Sequence, residues 1–113
     1  MDKKTKKHSI IHMVKDQYEV ATKLGNLLVE RIARKQEQLG LSDQKLGDLA
    51  FTYVTDRQKK VNNLKHGKRQ LTMADYYLLC QAVGLQPDRV LSLVLDDLED
   101  AKIQTDISKE SVA

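Results

Sequence analysis

Ser42-Asp43-Gln44-Lys45-Leu46-Gly47-Asp48-Leu49-Ala50-Phe51-Thr52-Tyr53-Val54-Thr55-Asp56-Arg57-Gln58-Lys59-Lys60-Val61-Asn62-Asn63-Leu64-Lys65-His66-Gly67-Lys68-Arg69 is the stretch on which the reading of this chain turns. Ser42 is a helix-start residue, and Leu41 and Leu46 stand at the two positions that staple a helix entry together. Asp43 in the first turn suits the helix dipole. The pattern predicts a short helix to about Ala50 that buries Leu46, Leu49 and Ala50. Thr55-Asp56-Arg57-Gln58 reads as a capping box that opens a second helix. That helix buries Val61 and Leu64 and ends at Gly67. With those two inward, Lys59, Asn62, Asn63 and His66 lie on the opposite side and Gln58 on a flank. From Arg57 to Arg69 there are six Lys and Arg and no acid. A helix that only faces water usually mixes signs to gain i,i+4 pairs, and this one gives them up. Asn and Gln amides match the edge of adenine, and Arg and Lys match guanine or phosphate.

Outward from this segment the chain is helical nearly throughout. Ile11, Val14, Tyr18, Ala21, Leu24, Leu28 and Ile32 recur at spacings of three and four, the mark of one helix face. Gly25-Asn26 interrupts them, and Asn26 is a fair N-cap. The expectation is therefore two helices, at about residues 10–24 and 27–39, with Gly40 as a left-handed C-cap. Downstream, Thr72 caps a helix that buries Tyr76, Leu79, Cys80 and Val83 and stops at Gly84. Pro87, at the favoured first position, begins a last helix to about Lys102. The expected organisation is a disordered basic arm over residues 1–8, an amphipathic helix over 9–25, a domain over 26–103 and a polar tail over 104–113.

The chain has 113 residues, which fits one domain able to bury about two-thirds of its unfolded surface. Its lone Cys80 cannot pair within the chain, which suits a reducing compartment; the expected location is cytoplasmic. No apolar run approaches the roughly 18 residues of a membrane span, and Ile10 to Val14 is too short for a signal core. Residues 1–70 hold 16 Lys and Arg against 8 Asp and Glu; residues 71–113 hold 3 against 8. A basic front and an acidic rear allow the front to meet a polyanion. His8, His12 and His66 are too scattered to hold a metal, and Cys80 on an apolar face reads as core. Asp96, Asp97, Glu99 and Asp100 read as a solvated face. With no phosphate loop and no nucleophile–base pair recognisable, the sequence predicts no enzyme and no cofactor.

Arg31-Ile32-Ala33-Arg34-Lys35-Gln36-Glu37-Gln38-Leu39-Gly40-Leu41-Ser42-Asp43-Gln44-Lys45-Leu46-Gly47-Asp48-Leu49-Ala50 resembles the first two helices of the lambda-repressor-like (Cro/CI, XRE) helix-turn-helix family. Val61 to Arg69 resembles the end of that family's recognition helix and the basic loop after it. Leu78 to Leu85 and Pro87 to Leu91 are similar to its fourth and fifth helices. Departures are visible. The interval from Leu41 to Gly67 is longer by about one helical turn. Phe51 stands for the turn glycine, and Gly47 for the small residue where two helices touch. Gln36 and Lys65 replace an Arg–Glu pair, and Asp43, with Gln44 beside it, replaces an opening Gln.

The resemblance implies an all-α, five-helix domain with an extra N-terminal helix and basic arm. It implies a sequence-specific regulator of transcription on double-stranded DNA, a repressor first, of the size found in phages and other mobile elements. By register from Gly67, Gln58, Lys59, Asn62 and Asn63 match positions that touch bases. Gln44, Arg57, Lys65, Lys68 and Arg69 match backbone-contacting positions, and Lys3, Lys4, Lys6 and Lys7 could follow the backbone as an arm or serve only as a solubilising tail. A single module covers a half-site, so a homodimer is expected, through the last helix with Val94 and Leu98 at its interface and the first helix as a second candidate surface. The alternative is a protein-interaction module, such as an antitoxin or adaptor, on the same scaffold; a salt-insensitive partner would favour it.

Overall fold

The computed structural model describes the backbone of residues 2–112 and the side chains of residues 17–100. Five helices follow one another: α1 (Asp2–Gln38), α2 (Asp43–Ala50), α3 (Arg57–Lys65), α4 (Met73–Val83) and α5 (Pro87–Val112). The fold is all-α, with no strand among the described residues. The C-terminal half of α1 is the central support. Its Leu28 and Ile32 enter a core shared with Leu46, Val61, Leu64, Leu79 and Val94 from the other four helices. α2 packs on α3 and α4, and α5 lies against α1 and α4.

The short helices start where local chemistry starts them. The Ser42 hydroxyl accepts the Lys45 amide at 3.1 Å, and the Thr72 hydroxyl accepts the Asp75 amide at 3.1 Å. Each satisfies a donor that the first helical turn cannot pair internally. α3 ends at Lys65, and Gly67 just beyond it, with a φ of 71°, lets the Lys68 amide return to the Asn63 carbonyl at 2.9 Å. A side chain there would strain the backbone.

Several expectations need correction. The helix break at Gly25-Asn26 does not occur, because α1 is one helix across it. Gly25 has no positive φ, and a mid-helix glycine costs only about 1 kcal/mol relative to alanine. Leu28 and Ile32, packed on the core just beyond it, hold the helix together. The extra N-terminal helix and the first helix of the domain are therefore a single element. The run Lys3 to Lys7, expected as a disordered arm, belongs to the backbone span of α1, and its side chains lie outside the described residues. Of the expected polar tail over 104–113, residues 104–112 fall in the backbone span of α5, and the tail's side chains also lie outside the described residues. Leu49 is half exposed, because α2 turns Leu46, Gly47 and Ala50 inward instead.

The α2–α3 connection also differs from expectation. Thr55 does not open a capping box: α3 begins at Arg57, and its cap position, Asp56, makes no side-chain cap bond. Phe51 is fully buried at the end of α2, with its amide bonded to the Gly47 carbonyl at 2.8 Å. Its φ of −117° is not left-handed, so the position of the turn glycine is met here by a conformation that a phenylalanine adopts freely. The Val54 amide returns to the Phe51 carbonyl at 3.0 Å, so the longer connection is a turn anchored by an aromatic ring. Among the described residues no single helix is long and apolar enough to cross a membrane.

Candidate nucleic-acid interface

α2 and α3 approach each other closely at Gly47. A Cβ there would lie 2.8 Å from the Arg57 Cβ and 2.9 Å from its backbone carbonyl, so only glycine allows this approach. Arg57 then closes the turn. Its Nε donates to the Val54 carbonyl at 3.0 Å, one terminal nitrogen to the Thr52 carbonyl at 2.6 Å, and the other reaches Asp48 Oδ1 at 3.4 Å. Read from the sequence as a backbone-contacting residue, Arg57 has its guanidinium committed inside the protein.

Asp43 is the second tie. Its carboxylate accepts from Gln36 Nε2 of α1 at 2.8 Å and from Lys65 Nζ of α3 at 2.8 Å. Asn62 Nδ2 stands at 3.5 Å from its other oxygen. Partial burial disfavours the charge on Asp43. The hydrogen bonds from Lys65, Gln36 and Asn62, with the lysine's charge, outweigh that and hold its pKa below the ordinary carboxylate value. Gln36 is itself buried and also donates to the Leu41 carbonyl at 3.1 Å. The Gln36 and Lys65 pair read from the sequence is thus real only through Asp43, which joins α1, α2 and α3. Lys65 is paired with that acid rather than free.

Lys60 is a larger surprise. It is buried, its Nζ 3.0 Å from Asp75 Oδ1 and 4.4 Å above the centre of the Phe51 ring. The Tyr53 hydroxyl stands within 3.5 Å of both charged groups. Asp75 sits in the first turn of α4, so this pair fixes α3 against α4. One of the six basic residues between Arg57 and Arg69 is therefore structural. The signal that could have found it was its place beside Val61, with Leu64 one turn on.

What remains outward is a polar and basic surface. Gln58, Lys59, Lys68 and Arg69 are exposed, and Asn62 and Asn63 are half-buried. His66 turns its Nδ1 back to the Asn62 carbonyl at 2.8 Å. Gln44 is exposed on α2 and donates to Asp48 at 2.9 Å, while Lys45 beside it, not singled out from the sequence, is also exposed. The two α2 acids nearest this face, Asp43 and Asp48, are both engaged by protein donors. The structure thus gathers Gln58, Lys59, Asn62 and Asn63 on α3, with Lys68 and Arg69 following it, and leaves Lys3, Lys4, Lys6 and Lys7 outside the described residues.

The expected interface residues separate. Val94 is 1% exposed and belongs to the monomer's core, so it is not available to a partner; Leu98 is half-buried. The reason is register: Val90 and Val94, one turn apart, form the inward face of α5. No protein-family model matches the chain, and no curated protein or solved structure matches it significantly.

Proposed function

We propose that this chain is a sequence-specific double-stranded DNA-binding regulator of transcription, acting most simply as a repressor, that places α3 in the major groove. The observation that carries the reading is the outer face of α3. Gln58 and Lys59 are exposed, Asn63 sits between them and the basic Lys68-Arg69, and the two acids of α2, Asp43 and Asp48, are engaged by donors of the protein itself. Amide and ammonium groups offered from a helix are the donors and acceptors that base edges and phosphates accept. The tight α2–α3 approach at Gly47 supports the reading further, since it holds α3 from behind and leaves its other side open, as in helix-turn-helix proteins. Lys68, Arg69 and the Lys3, Lys4, Lys6 and Lys7 run supply backbone affinity in this account. Arg57 and Lys65 act instead by fixing the helix, and Gln44 adds a polar contact beside it.

The test is selection of bound duplexes from a random double-stranded pool, followed by titration in rising salt. The expected result is an enriched motif whose affinity falls steeply with salt. No enrichment, with binding of a protein partner that is insensitive to salt, would favour the interaction-module reading.

A further inference from the structure

We infer that the cavity between α1 and the loop after α3 is a binding site for a small organic acid, and that the bound acid loosens the hold of this loop on DNA. The cavity has a volume of about 280 Å³, near the lower end of the range of small-molecule sites. Small residues open it from both sides. On α1, Ala21 and Gly25 leave the wall bare, and a Cβ at Gly25 would meet nothing within 4 Å. Opposite, Gly67 has no side chain, and a Cβ there would find Asn26 Oδ1 only at 4.0 Å. Val29, Leu64 and Leu71 complete the apolar lining. At one end the two elements are bridged, from Gln70 Nε2 to the Tyr18 hydroxyl at 3.4 Å.

The chemistry of the lining selects the ligand. Among the described residues Arg69 is its only charged group, and no acid lines it. The amides of Asn26 and Gln70 add hydrogen-bonding groups. A guanidinium beside apolar walls suits a carboxylate carried on a hydrocarbon body. The carboxylate meets the guanidinium in a two-point fork, and the body covers Ala21, Val29, Leu64 and Leu71. A bare phosphate would use the cation and leave the walls uncovered. Past Asn26 the cavity opens into a shallower hollow beside Lys65, His66 and Glu30. There Lys65 is held by Asp43 at 2.8 Å and Glu30 by Arg34 at 2.7 Å, so Arg69 remains the anchoring charge. Arg69 also stands in the loop that, in the function proposed above, meets the DNA backbone. The coupling to DNA rests on that reading; the site itself does not. A carboxylate on Arg69 takes a charge from the phosphates, so acid and duplex weaken each other's binding by the same factor.

The first measurement is isothermal titration calorimetry of the full chain, without DNA, with phenylacetate and with octanoate. Saturable binding is expected, with phenylacetamide, octanamide and inorganic phosphate each bound about tenfold more weakly or not at all. Arg69→Gln, at an exposed loop position, and Gly25→Leu, which puts a side chain into open space, should each weaken phenylacetate binding about tenfold. The helical circular dichroism of both variants should match the parent. Failure of both acids to bind would overturn the site. Amides or phosphate binding as well as the acids would also overturn it, as would an Arg69→Gln chain that binds them as the parent does. The second measurement titrates a selected duplex with phenylacetate at saturation. A weakened duplex is expected, and an unchanged affinity would overturn the coupling. A chain that binds no duplex at all would refute the DNA reading and the coupling with it, while the site is decided by the first measurement.

Discussion

The α2–α3 unit and the α1–α5 pair are held together by different means. α2 and α3 meet through a glycine contact and a set of named polar ties: Arg57 on the turn, Asp43 between three helices, and the buried Lys60–Asp75 pair against α4. Among the described residues α1 and α5 meet mainly through apolar side chains, with one well-exposed ion pair, Arg31–Asp97 at 2.9 Å, across them. The first arrangement spends most of its polar groups internally and fixes the few it leaves outward. The second leaves Tyr18 of α1 and Leu95 of α5 uncovered. The difference separates a helix pair tied by polar contacts, on which we propose DNA is read, from a pair held by apolar packing that leaves exposed apolar side chains at its flanks.

The comparison breaks most visibly at the buried ion pair. Asp75→Ala would leave Lys60 charged and unpaired in the interior, and about 3–5 kcal/mol of stability should be lost in denaturant unfolding. Replacing both residues with apolar ones of similar volume should recover most of it. An Asp75→Ala protein as stable as the parent would show that the pair does not hold α3 on α4.

Next in size is Gly47→Ala. The added methyl group meets the Arg57 backbone, so a loss of about 1–3 kcal/mol is expected despite the better helix propensity of alanine. Melting curves of the two proteins check this, and an unchanged midpoint would mean that the close approach is not required.

Asp43→Asn removes the charge that Lys65 meets and should cost about 1–2 kcal/mol at neutral pH. The pH dependence follows from the direction of its shift. The folded carboxyl has a lower pKa than the unfolded one, so the folded state holds fewer protons. Its contribution is fully present above the ordinary value of 3.8 and fades as the pH falls further. Unfolding measured from neutral pH downward should therefore show a shallower acid loss for Asp43→Asn than for the parent. Parallel curves would contradict the hub.

The smallest effect has the opposite sign. Gly25→Ala on α1 meets nothing within 4 Å and should stabilise the chain by about 0.5–1 kcal/mol. Set beside Gly47→Ala, it measures in one pair of variants how differently the two regions tolerate the same methyl group.

Much of this was legible in the sequence because it is local. The caps at Ser42 and Thr72 and the glycine just after α3 each act within a turn of chain, whereas the contact role of Gly47 was an expectation of the family resemblance alone. The inward placing of Tyr76 and Cys80 followed from simple periodicity. The failures share a different cause. Lys60 lies on the face of Leu64, which helix register could have shown, but the aspartate from another helix and the two aromatic rings that receive its charge are distant in the sequence and no local pattern shows them. Arg57 is consumed by carbonyls of a turn whose length departs from the usual one. Leu49 and Val94 exchanged roles with their expectations because, on helices this apolar, periodicity does not say which leucine or valine the neighbouring helix will cover. The break at Gly25 failed because packing on both sides outweighs the modest cost of a single glycine.

The proposal that the outer face of α3 reads bases is tested most directly at Gln58, which is exposed and makes no side-chain hydrogen bond among the described residues. The measurement is fluorescence anisotropy of the parent and of Gln58→Ala on a duplex recovered by selection and on a shuffled duplex of the same length and salt. The account predicts a loss of about 1–3 kcal/mol on the selected duplex and none on the shuffled one. Equal loss on both duplexes, or no loss on either, would contradict it.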